Sequence, residues 1–139
     1  MLAELINTEN LSNSDLKIIK ARISGPSFVD LSDDDKTIGV DQIMLRVASI
    51  CGCALPNTEF FAKFIAEEIS IFISEFGYQE LTLEEIFLAF RLNAKEKDRI
   101  MFTGNCVNVD YISKVLDRYM EFRKTLESKL KNKIDGYEL

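Results

Sequence analysis

Histidine is missing from all 139 residues. Its absence removes the commonest general base, the usual partner of a serine or cysteine nucleophile, and the commonest zinc ligand. Tryptophan is also absent, and Pro26 and Pro56 are the only prolines. No G-x-G-x-x-G or G-x-x-x-x-G-K-[ST] run occurs, so no phosphate cradle is visible. No apolar run approaches the roughly 20 residues that cross a bilayer. The first ten residues, MLAELINTEN, lack the basic start and long apolar stretch of a secretory signal. The three cysteines, an odd number, suit reduced thiols better than a disulfide framework. These features predict a cytoplasmic protein with no membrane partner.

What is present is ordinary for a globular chain: 47% apolar and 29% charged residues, enough to build one core. The net charge of −6 is unevenly spread. Residues 1–113 carry 10 basic and 18 acidic side chains, whereas 114–133 carry 7 basic and 3 acidic. An acidic chain does not draw nucleic acid through its overall field. Only the C-terminal helix offers a cationic surface.

Apolar spacing predicts helix nearly throughout. Ser14 can cap a first helix carrying Leu16, Ile19 and Ile23, ended by Gly25-Pro26. Val40, Ile43, Met44, Val47 and Ile50 mark a second. Asn57 or Thr58 opens a third, with Phe61, Phe64, Ile65, Ile69, Phe72, Ile73 and Phe76 as a wide apolar face. Thr82 and Glu85 form a capping box. The helix they open, Leu81–Leu92, has no polar side from Ile86 to Phe90 and should be the buried centre. β-favouring residues around Thr103-Gly104-Asn105 allow a short hairpin over about 99–109. A last helix begins near Asn108–Asp110 and carries Ile112, Val115, Leu116, Tyr119, Phe122, Leu126 and Leu130. The expected fold is all-α: a compact bundle of about five helices in a single domain, 1–139. Residues 125–139, where the stripe thins, are expected to project from the domain or to pair with another subunit.

Chemistry-bearing clusters are sparse. Cys51, Cys53 and Cys106 give three thiols and no histidine to complete a zinc site, so packing as small apolar groups is the expectation. Asp30–Asp41 fails as a calcium loop, since Asp35 stands where glycine is needed and Asp41 where glutamate is. Asp33–Asp35 reads instead as an acidic helix start. Glu67-Glu68 and Glu84-Glu85 are neighbours about 100° apart on a helix and read as solvated surface. No metal, cofactor or catalytic residue is expected, and the chain does not read as an enzyme. Arg118, Tyr119, Phe122, Arg123 and Lys124 form a basic, aromatic patch that could meet a partner protein or nucleic acid.

The run LTLEEIFLAFRLNA, an irregular insert, and then VDYISKVLDRYMEFRK resembles a set of small helical bacteriophage and prophage proteins. Those proteins carry a T-x-x-E-I-x-x-A-F helix followed by a helix with Y-x-x-x-R. The resemblance covers roughly residues 80–124 and rests on Thr82, Glu85, Ile86, Ala89, Phe90, Tyr119 and Arg123. It implies a replication-associated accessory factor of the helicase-loader or replication-organiser kind. The chain would then be a non-enzymatic adaptor whose partner is a replicative helicase or another replication protein. Two alternatives stay open: a DNA-binding regulator using the basic last helix, and a structural module that dimerises through Ile112–Leu130.

Overall fold

A computed structural model describes residues 11–138, with side chains described through residue 131. Five helices and one 3-10 turn follow in order: α1 (Asn13–Arg22), the turn Phe28–Asp30, α2 (Asp33–Cys51), α3 (Glu59–Glu75), α4 (Leu83–Lys95) and α5 (Val109–Glu138). The all-α bundle is as the sequence predicts.

Each start has a local cause. Ser12, rather than Ser14, caps α1, in a reciprocal box with Asp15. Two consequences follow: Ile18 and Ile19 face inward, and Ile23, expected on the buried stripe, lies largely exposed past the helix end. Ser32 caps α2, and Asp33, Asp34 and Asp35 fill its first turn, where the helix dipole favours negative charge. Gly52 ends α2 with φ +71°, a left-handed geometry that suits glycine. Thr58 caps α3, and Thr82 with Glu85 caps α4 in the anticipated box.

The greasy segment is the hub. Ile86, Phe87, Leu88, Ala89 and Phe90 are all buried. They can be, because α4 packs against α1, α2 and α5 together. Truncating Phe87 or Phe90 to alanine in such a site typically costs about 3–5 kcal/mol. From α2, Arg46 lays its guanidinium 4.1 Å from the centre of the Phe87 ring. α3 packs on α2, α5 and the 3-10 turn instead.

Residues 99–109 do not form a hairpin, and no strand occurs among the described residues. Their backbone groups are taken elsewhere. The Asn93 amide accepts from Ile100 N at 2.9 Å and donates to Ile100 O at 3.0 Å. Ala54, in the α2–α3 linker, donates to Asn105 O and accepts from Val107 N, each at 3.1 Å. One arm is thus held by α4 and the other by a neighbouring loop, so they cannot pair with each other. Asn108 then accepts from Tyr111 N at 2.8 Å and opens α5.

α5 stays on the body at least to Leu130. Leu126 is buried, Lys129 pairs with Asp15 at 2.9 Å, and Leu130 packs against the core. Residues 125–130 therefore do not project as expected. The side chains of 132–139 lie outside the described residues.

Candidate functional site

Two constellations stand out, one buried and one exposed. The buried one gathers the polar residues of the T-x-x-E and Y-x-x-x-R patterns. Glu85 is 0% exposed. One carboxylate oxygen accepts from Thr82 N at 3.2 Å. The other accepts from Tyr119 OH at 2.8 Å and from Arg123 Nε at 3.0 Å. Arg123 also donates to Glu80 at 2.9 Å, and Thr82 Oγ1 donates to Ala21 O at 2.7 Å. α1, α4 and α5 meet at this point. Their join is completed by Arg22 on Glu127 at 3.1 Å.

Its electrostatics are those of a clamp. Burial and the adjacent Glu85 carboxylate hold the Tyr119 hydroxyl well above the ordinary phenol range. Burial opposes the Arg123 cation, but Glu85 and Glu80 outweigh it and hold that group above its usual value. Tyr119 keeps its proton and Arg123 its charge. A sealed carboxylate with every partner fixed has no room for a substrate atom.

The five residues expected to face a partner therefore do not share one outer surface. Tyr119 and Arg123 point inward. Arg118 is half-buried and gives Asp98 both a backbone and a side-chain hydrogen bond at 2.9 Å. Its guanidinium lies 5.8 Å from the ring centre of half-buried Phe122. Of the five, only Lys124 is exposed. Glu85, expected on the surface beside Glu84, is the most buried charge of the network. One sequence signal could have found it. Tyr119 and Arg123 sit four apart, and Tyr119 already belongs to the apolar stripe, so Arg123 had to be buried and to meet an acid.

The three cysteines are free and half-buried, and burial together with nearby Cys51 pushes the Cys53 thiol up. No group of three or more His, Cys, Asp or Glu side chains capable of holding a metal ion occurs among the described residues. No helix among them is long and apolar enough to cross a membrane.

The exposed constellation is the outer face of α3. Ile69 and Ile73 are its fully buried residues. At 3.6 residues per turn, Phe60, Phe64 and Ile71 fall on the opposite side. Phe60 is 75% exposed, Phe64 55% and Ile71 40%, with Phe61 and Phe76 also exposed. The Phe60 and Phe64 rings meet edge to face, 5.0 Å between centres. Phe72 and Phe76 stack at 5.1 Å. Around them Glu59, Glu67, Glu68 and Glu75 are exposed, with Lys63 the single cation of the helix. The wide apolar face anticipated for α3 is thus half inside and half outside.

Compared with protein families, curated proteins and solved structures, the chain matches none.

Proposed function

We propose that the protein is a non-enzymatic adaptor that holds a partner protein on the outer face of α3. One observation carries this reading: Phe60 and Phe64, ring against ring, are left open to water beside Ile71 on the side of α3 opposite its buried Ile69 and Ile73. Large apolar side chains left exposed together and rimmed by polar residues mark an interaction site. The Phe60 and Phe64 rings are already in contact, so little of their freedom is lost on docking. The exposed glutamates among and beside these side chains favour a partner helix that carries basic residues next to its apolar stripe.

In this reading the Thr82–Glu85–Tyr119–Arg123 clamp fixes the scaffold, and recognition belongs to α3. The replication setting, with a replicative helicase or another replication protein as partner, comes from the resemblance of residues 80–124 and names the first partners to try. The DNA-regulator alternative has less support, because Arg118 and Arg123 are committed to Asp98, Glu80 and Glu85.

The test is in-cell cross-linking of the wild-type chain beside a Phe60→Ser/Phe64→Ser variant, with the fold of each checked by circular dichroism. A protein captured by the wild type and lost from the folded variant supports the reading. An identical captured set for both refutes it.

A further inference from the structure

A second surface lies between α1 and α4 and shares no residue with the α3 face. It is a groove of about 650 Å³, within the size range of specific binding clefts. Its floor is apolar, made by Ala21, Leu88 and Leu92. Its rim is cationic: Lys17 and Lys20 on the α1 wall, Arg91 and Lys95 on the α4 wall. Glu84 is the single acid beside them. None of these four cations makes a salt bridge among the described residues, whereas Arg22, Arg118, Arg123 and Lys129 all do. Four cations without a salt-bridge partner among the described residues, set on an apolar floor, are a local reversal of sign in a chain of net charge −6.

The spacing identifies what fits. Lys17 and Lys20 are three apart on one helix, and Arg91 and Lys95 four apart on the other, so each pair springs from one helix face, with Cβ atoms about 5–6 Å apart. A cationic wall on each side of an aliphatic floor matches a helix with an apolar stripe and carboxylates on both flanks. Nucleic acid matches less well. The floor has no aromatic ring on which a base could stack, and Glu84 would face the phosphates.

We infer that the α1–α4 groove is a second docking site, taking an acidic amphipathic helix of a partner protein. The inference stands apart from the α3 reading, because the groove carries the opposite charge and its test leaves Phe60 and Phe64 untouched. With both, the adaptor joins two partners of opposite character.

The experiment uses the full chain and three fluorescent probes. The first is a designed helical peptide with leucines on one stripe and glutamates on both flanks. The second is the same peptide with lysine for every glutamate, and the third a mixed-sequence oligonucleotide, single- and double-stranded. Anisotropy gives affinity, and amide chemical-shift mapping gives the place. The acidic peptide should bind, with shifts centred on residues 17–24 and 84–95. The Lys17→Glu/Arg91→Glu variant, still folded by circular dichroism, should bind it about tenfold more weakly or worse. Raising salt from about 50 to about 300 mM should also weaken binding. Equal binding of the lysine peptide, tighter binding of the oligonucleotide at these residues, shifts confined to α3, or no binding at about 1 mM protein would each overturn the proposal.

Discussion

Replacing Arg123 by methionine removes the cation that faces Glu85 while leaving a side chain of similar reach. The 3.0 Å contact to Glu85 and the 2.9 Å contact to Glu80 are both lost. Glu80 is exposed and can turn to water. Glu85 cannot, being fully enclosed, and would keep only Thr82 N and the Tyr119 hydroxyl. Leaving one buried charge without its partner costs about 3–5 kcal/mol. For a chain of 139 residues this is a fall in melting temperature of roughly 10–20 °C. Urea unfolding followed by circular dichroism measures it directly. The companion is Glu85→Leu/Arg123→Met, which removes both charges. Its loss should be at least about 2 kcal/mol smaller than the sum of the two single losses, since neither charge is then stranded. A loss below about 1 kcal/mol for Arg123→Met, or single losses that simply add within about 0.5 kcal/mol, would refute the description of this cluster as a clamp.

Three further outcomes are expected. Asn93→Ala should free the Ile100 backbone, cost about 1–3 kcal/mol, and make the 96–108 loop the first site cut in limited proteolysis. Gly52→Ala should cost about 1–2 kcal/mol in thermal unfolding, because its φ of +71° places a Cβ in the left-handed region. Asp15 is the pH reporter. Burial raises its carboxyl, but the Ser12 backbone N–H and Lys129 outweigh that and hold it below the usual 3.8. A lowered carboxyl value stabilises the fold above the unfolded value and loses that effect as pH falls through the folded one. The gap between wild type and Asp15→Asn in urea midpoints should therefore be constant from pH 5 to 7 and close below about pH 4.

Helix identities were legible in the sequence because they depend on neighbours along the chain. The T-x-x-E box and the unbroken Ile86–Phe90 run announced α4 and its burial, and both follow from spacing alone. The hairpin was misread for the opposite reason. Val107 and Asn105 have the right propensity, but the partner they bond is Ala54, some fifty residues earlier, and no local pattern reveals it. The same limit explains the last helix. Its cations read as a free surface until Glu85, Glu80, Asp98 and Asp15 arrive from other elements to meet Arg123, Arg118 and Lys129. α3 shows the converse: periodicity detected its apolar breadth but could not say which half the fold leaves uncovered.

The seating of α1 on α4 bears on how the chain is born. Ile18 and Ile19 leave the ribosome well before the helix that shelters them, which follows some seventy residues later, and the Asp15–Lys129 bond spans 114 positions. Non-local closure of this kind delays the final ordering of the early segment. A stalled nascent chain ending near residue 80 should thus leave α1 open to protease, and one exposing residue 131 should protect it.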